Sequence, residues 1–571
     1  MITRVRAARQ VRKVLAPAAA VLLLSAALLA ITPLTASAET YWVEPAGDLT
    51  VFGRGFGHGR GMSQYGAQGA ALAGKTSSYI LDFYYPGTTS TTVPATTTIR
   101  VRITADTTPY VAVLPATGLK ARIAGTENAR TLPVATSITQ WAIRPYGEHA
   151  TRVYYYSTTS TSWTLWWTVD GMTEFTGAAV TKLVLPDGSA VPYRGTLRAA
   201  DRDGTDLDTL NVLSVDYYLR GVVPKEALTS WKPAALQAQA VAARTYAISR
   251  RNAAIKAGRD YDLCDTQQCQ VYGGYAAEVA STNDAVVATA NQVRTYNGKP
   301  ILAEFSSSNG GYTAPGPVPY QVAKADPYDD YPHNGNPYAS WTRSVDRATA
   351  QSRLGVGIIK LMTVLQRNGY GTWGGRLESL RATGTTTTKD FTGDQLRLLL
   401  GLRSTWVRFD QSQIMKRWVA IGGLNSPVGG SQGYEWPVRG GSGQAFAKGH
   451  IYRTTAHGAW EIYGGFESRY QSIGGPSHAI GLPIAAKFNG AKTGSQVQRF
   501  GSGRMFWSPA SGVREVYGRI YVAYYNVGLE GGRLGLPTSY QYPVSFGAQQ
   551  VFQGGYINWY SATDTTAVVY R

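Results

Sequence analysis

Charged side chains are sparse, at 16% of 571 residues, and acids are the scarcer sign, with 36 Asp and Glu against 55 Lys and Arg. Low charge combined with 64 Gly and 37 Tyr argues against disorder and suits turn-rich β structure with aromatic surfaces. Beyond residue 38 no apolar run is long enough to span a membrane. Several catalytic signatures are missing. No Gly-Lys-Ser/Thr completes a phosphate loop, and no βαβ unit surrounds the glycines near residue 57 to make a dinucleotide site. There is no G-x-S-x-G elbow, and no histidine has a triad context, which argues against a serine nucleophile. Cysteine is limited to Cys264 and Cys269, and none of the six histidines is close to them in sequence. In an exported chain the first expectation for such a pair is a disulfide closing a small loop.

Export itself is read from residues 1–38. Arg4, Arg6, Arg9, Arg12 and Lys13 form a basic start, Val14 to Ile31 an apolar stretch, and Ala36-Ser37-Ala38 a small-x-small cleavage site. An uncleaved anchor is the competing reading; Pro33 and the cleavage triplet oppose it. Removing five cations and no acids takes the formal charge from +19 to +14. A secreted chain this basic is expected to meet anionic wall polymers or phospholipid head groups, and not nucleic acid. Its length leaves room for several cores.

Residues 211–250 read NVLSVDYYLRGVVPKEALTSWKPAALQAQAVAARTYAISR. Asn211 to Leu219, rich in β-branched and aromatic residues, predicts a strand. Pro224 suits the first position of a short helix, which would place Glu226 in its first turn. Pro233 starts a second helix running to about Arg250, with Leu236, Ala240, Ala243 and Ala247 on one face. A helix this apolar is a buried one. Glu226 lies among Val222, Val223, Ala227 and Leu228, and Arg244 projects from a helix with little polar surface. A buried arginine needs a partner, and Glu226 is the expected one. On chemistry alone this reads as a structural ion pair, or as a first-turn acid complementing the helix dipole.

YLRGVVPKEAL followed by LQAQAVAARTYA resembles the core motif of the stage II sporulation protein D (SpoIID) and amidase-enhancer LytB family, nearly without gaps. The resemblance implies a cell-wall location and an α+β fold. That fold is a SpoIID-like mixed domain with a β-rich insertion and a central helical pair, here followed by a β-rich repeat domain. It also implies that Glu226 is the catalytic acid of a peptidoglycan lytic transglycosylase, although other members enhance a cell-wall amidase without that role. GHGRGMSQYGA, residues 57–67, is similar to a second signature of the family, which in many members lies near the domain's C-terminal end. KPILAEFSSSNGGYTA, residues 299–314, resembles a third element and predicts a strand ending in a Ser-Gly turn. The substrate-binding set implied is Arg244, Tyr246, His58, Gln64, Tyr65, Ser307, Asn309 and Gly310. His58 also reads as a histidine satisfied inside a tight loop, and the amides at Asn309–Gly311 as turn formers. Some members bind zinc using a histidine just before the second cysteine. That position is Gln268 here, so the expectation is a disulfide with no metal and no cofactor.

Residues 97–200 predict β structure, and Trp163, Trp166 and Trp167 there read as core or as a sugar groove. FTGDQLRLLLGLRSTWV, residues 391–407, predicts a helix and the domain's last strand, so the front domain spans 39–411. Three units then recur within 412–571, headed by Leu424-Asn425-Ser426-Pro427, Ile480-Gly481-Leu482-Pro483 and Leu534-Gly535-Leu536-Pro537. Each is followed by Gln-x-Phe-x-x-Gly, starting at Gln444, Gln498 and Gln550. The prolines are 56 and 54 residues apart, a steady period that means stacked supersecondary units. The units resemble LGFP repeats, which implies retention on a cell wall through anionic or arabinogalactan-type polymers; a rigid spacer is the plainer reading.

Three functions follow. A lytic transglycosylase cleaves MurNAc–GlcNAc bonds with one carboxyl group, unlike the two carboxylates of ordinary glycoside hydrolysis. No obvious second acid accompanies Glu226 in its motif. Apolar neighbours would raise the Glu226 pKa, and Arg244 would lower it. A non-catalytic enhancer would present glycan to a partner amidase from the same cleft. A wall-attachment protein would depend on the repeats alone.

Overall fold

The structure is a computed structural model and describes residues 39–44, 47–147, 149–203 and 205–571. The expected export signal, residues 1–38, lies outside these residues. Thr40–Arg571 form one compact unit of mixed class, combining helices with mostly antiparallel sheets and ending in β-rich repeats.

The front β region is built from a seven-stranded and a six-stranded sheet. Alternating side chains such as Ile99 and Val101 from one sheet and Val111, Trp141, Ile143 and Val153 from the other are buried in a common core. Trp166 packs edge-on against Trp141, and both Trp166 and Trp167 lie against this core. Trp163 lies under the Arg144 guanidinium.

The strand Leu207–Ser214 leads straight into helix chemistry. With α1 (Gln64–Leu72) and α2 (Ser77–Tyr84) named first in chain order, α3 is Val215–Glu226, α4 Pro233–Lys256 and α5 Ala280–Ala288. The strand expected to reach Leu219 therefore stops at Ser214, whose side chain caps α3 by accepting the Tyr217 N–H. Val215, Tyr218, Leu219 and Val222 fall at helical spacing and are all buried, and that burial outweighs their β propensity. Pro224 does not start a helix. It sits in the last turn of α3, just before the helix ends at Glu226. A proline there removes the N–H that would otherwise meet the Arg220 carbonyl, a small loss so close to the end. Glu226 is thus a C-terminal residue, where the helix dipole opposes its ionisation.

Pro233 does occupy the first turn of α4, and this helix is buried along most of its length, with Leu236, Ala240, Ala243 and Ala247 all inside. It packs against α1, α2, α3 and α5. The chain closes near its front: Leu49–Gly53 pairs with both Trp341–Val345 and Val407–Phe409, the strand expected to end the domain.

Each repeat is a helix, a 3-10 turn and a four-stranded antiparallel sheet; the helices are Gln413–Ala420, Gly465–Ser472 and Gly518–Asn526. The structure corrects the register of the first copy. Lys448 N–H bonds the Val428 carbonyl as Ser502 bonds Ile480 and Gly554 bonds Leu534. Val428 is therefore the equivalent of Ile480 and Leu534, and all three are fully buried. Leu424, the expected head, is 75% exposed. Two of the recurrent glutamines bridge successive units, while Gln444 bonds Ser431 and Gly433 within its own. Gln498 Nε2 donates to the Glu461 carbonyl of the unit before at 2.7 Å, and Gln550 to that of Glu515 at 2.8 Å.

The change of architecture near residue 411 is not a gap. Trp42 N–H donates to Gln411 Oε1 at 2.7 Å, the Trp42 ring packs on the cluster of Ile414 and Met415, and Glu44 faces Arg453 at 3.4 Å.

Candidate functional site

A cavity of about 520 Å³ opens where the glycine loop, the end of α3, the middle of α4, the disulfide loop and the 305–307 segment meet. Two close approaches assemble it. Phe305 and Ser306 pair in parallel with Met62 and Ser63, bringing the GHG loop beside the Ser-rich segment. Within that loop Gly55, Gly57, Gly59 and Gly61 all have positive φ, from 65° to 97°, and a Cβ on Gly57 would lie 2.8 Å from the Ser306 Cβ. On the other side, a Cβ on Gly221 would lie 2.5 Å from the Tyr272 ring. Only glycine lets the 270–274 segment lie this close to α3, and Gly273 N–H bonds the Gly221 carbonyl at 3.0 Å.

That segment holds Glu226. The Val271 N–H donates to Glu226 Oε1 at 3.0 Å. Burial pushes the carboxyl above its ordinary value, while the Val271 N–H and the nearby Gln64 amide partly offset this. Gln64 is only 6% exposed, and its Nε2 lines the cavity without a well-formed hydrogen bond. His58 accepts the Arg60 N–H at Nδ1 at 3.0 Å. Burial, with Arg60 beside it, lowers its pKa to about 4, so it is neutral at physiological pH with its proton on Nε2. Tyr246 and Ser307 also line the cavity.

Four expected site residues lie elsewhere. Arg244 does not meet Glu226. It is fully buried; its Nε donates to Asp216 Oδ1 at 2.7 Å, and its Nη groups donate to the carbonyls of Gln292 and Val286, both at 3.2 Å. Asp216 lies in the first turn of α3, so the arginine fastens α3, α5 and the following strand together and has no face for substrate. Asn309 and Gly310 are consumed by a buried carboxylate, with their amides donating to Asp329 at 3.1 and 3.0 Å. Tyr65 stacks edge-on between Trp231 and Tyr338 and is not among the cavity's lining.

Sequence reasoning missed Glu304. It lines the same cavity as Glu226, although the motif around Glu226 contains no second acid. Burial would raise its pKa, but the hydrogen bonds and charge of Arg60, with Gln321, hold it below the ordinary value. Arg60 grips both its oxygens, at 2.8 and 2.9 Å, and Gln321 donates at 2.7 Å. The cavity thus pairs a carboxyl biased toward its acid form with one fixed as a carboxylate. The signal was the Glu within the 299–314 stretch; only folding brings it to Glu226.

Cys264 and Cys269 are joined by a disulfide, Cα to Cα 5.5 Å, which shapes the wall beside Tyr246. Among the described residues no group of three or more His, Cys, Asp or Glu is arranged to hold a metal.

Residues 203–296 match the Stage II sporulation protein family, SpoIID, and residues 428–477 and 480–532 match the LGFP repeat. The chain therefore carries a SpoIID domain and LGFP repeats, a cell-wall-related combination. It is 41% identical over 135 residues to an amidase enhancer of Bacillus subtilis (strain 168), covering 23% of this chain and 17% of that protein. It is 32% identical over 163 residues to stage II sporulation protein D of the same organism, covering 25% of this chain and 46% of that protein. The counterpart in Bacillus amyloliquefaciens is 31% identical over 211 residues, covering 34% of this chain and 59% of that protein. The chain thus spans less than two thirds of each of these relatives. Among the described residues no helix is long and apolar enough to cross a membrane.

Proposed function

We propose that the chain is an exported peptidoglycan lytic transglycosylase with Glu226 as its acid. The observation that carries this reading is a half-buried carboxyl, biased toward its protonated form, at the edge of an open cavity. The other acid there is locked to Arg60. Glu226 donates its proton to the oxygen between MurNAc and GlcNAc as the C1–O bond breaks. The resulting carboxylate takes the proton of the C6 hydroxyl, and O6 closes on C1. The products are a 1,6-anhydro-MurNAc end and a free GlcNAc 4-hydroxyl; no water is consumed, and Glu226 ends protonated as it began. The His58 Nε2–H and the Gln64 Nε2 provide donors for sugar oxygens, and Tyr246 a surface beside them. The LGFP repeats retain the enzyme on wall polymer. Incubation of purified protein with peptide-stripped glycan strands tests the reading through release of anhydro-ended fragments, seen by mass spectrometry. The match to an amidase enhancer supports a second reading, a protein that binds glycan in this cavity for a partner amidase. Binding without products would favour it.

A further inference from the structure

The Glu226 cavity continues past Tyr246 and Arg250. There it shares the Gln267–Cys269 wall with a second cavity of about 750 Å³, which nothing in the reaction above uses. Three arginines line this annex, Arg102, Arg250 and Arg259, with one acid, Asp262. Asp262 is buried and already held by Arg100 at 2.7 Å, and Arg102 is paired with Asp208 at 3.0 Å. Arg250 and Arg259 meet no carboxylate among the described residues, and both are exposed. Tyrosines steady them. Arg250 Nε donates to Tyr246 Oη at 3.1 Å, one helical turn back along α4, and its guanidinium lies 5.1 Å from that ring's centre. The Arg259 guanidinium lies 5.7 Å from the Tyr261 ring. A guanidinium held against an aromatic ring keeps outer N–H groups free for a forked acceptor. The disulfide loop fixes the opposite wall.

We propose that this annex binds a carboxylate carried by the same glycan strand that lies at Glu226, with Arg250 and Arg259 as its ligands. The proposal rests on the peptidoglycan reading. Charge-assisted pairs between arginine and carboxylate are among the stronger hydrogen bonds available. Continuity of the two cavities favours a group on the bound strand over a separate phosphodiester polymer. Such a strand has two kinds of carboxylate, on the lactyl ether of muramic acid and on the stem peptide.

The test uses the full chain carrying Glu226→Gln, which holds glycan without cutting it. Calorimetry compares a neutral chitin oligosaccharide, peptide-stripped peptidoglycan strands and peptide-bearing strands. Adding Arg259→Ala is expected to weaken peptidoglycan binding about tenfold and to leave the neutral oligosaccharide unchanged, whereas Arg250→Ala, at the junction of the two cavities, is expected to weaken peptidoglycan binding more than binding of the neutral oligosaccharide. A loss seen with stripped strands identifies the lactyl carboxylate; a loss confined to peptide-bearing strands identifies the stem. Equal losses on all three glycans, no loss on any, or, with poly(glycerol phosphate) titrated as a fourth ligand, a loss confined to that polymer would overturn the annex. A parent protein that binds none of the glycans would refute the peptidoglycan reading itself, an outcome distinct from glycan binding that ignores both arginines.

Discussion

Glu226→Gln separates a chemical role from a structural one. The amide keeps the side chain's volume, and its oxygen can still accept the Val271 N–H now at 3.0 Å, so no backbone shift is required. Only the transferable proton is lost. One positioned acid or base contributes about 10²–10⁴-fold. In the proposed reaction Glu226 serves first as acid and then as base, so a loss at or beyond the upper end is expected in release of anhydro-ended fragments. Stability should move in the opposite direction. Burial raises the Glu226 pKa in the folded protein, only partly offset by Val271 and Gln64. A carboxyl with a raised folded pKa binds its proton more tightly in the folded state than in the unfolded one. Below the unfolded pKa both states are protonated and nothing is lost. As pH rises through the folded pKa, ionisation in the cavity costs stability. The amide variant does not titrate. It should melt with the parent in acid and above the parent once pH exceeds that raised value. Product analysis on stripped strands, with thermal melts from about pH 4 to about pH 8, reads both effects. Unchanged product release would remove Glu226 from the chemistry. A sharply lowered melting temperature at neutral pH would show that its charge supports the fold.

Asp216→Ala should behave in the contrary way, because it strips the fully buried Arg244 of its carboxylate. A loss of roughly 3–5 kcal/mol is expected by thermal unfolding, and an unchanged melt would mean that the Val286 and Gln292 carbonyls suffice. Intact mass with and without reductant should show Cys264 and Cys269 linked, and elemental analysis no stoichiometric zinc; one zinc per chain with two free thiols would reverse both. Truncation after residue 411 should lower activity on whole walls far more than on short soluble glycan, and the fragment 412–571 should itself bind walls, more weakly as salt screens its charge. Equal losses on both substrates would mean that the contact of Trp42 with the first repeat shapes the front domain.

The sequence by itself determined whatever depends on local pattern. Pro233 and the alanine-rich run specify a buried helix, the Gly-x-Gly alternation at 55–61 specifies a loop of positive φ, and the period near 54 residues specifies repeats. Each is a short-range regularity whose physical meaning is independent of what packs against it. Tertiary structure decided the partners. Val215 to Leu219 carries β-formers but coils, because Ser214 caps it and its helical face is buried. Arg244 and Glu226 are close in sequence and were natural mates, yet Arg244 turns to Asp216 because α4 is buried on that side against α3 and α5. Glu304 reaches Glu226's cavity only through the short parallel pairing of Phe305 with Met62. The first repeat's register escaped detection because Pro427 imitates the motif proline, whereas burial of Val428 sets the true alignment. A charge or an apolar side chain accepts any complementary neighbour, and the chain's path, which no local pattern encodes, selects which neighbour arrives.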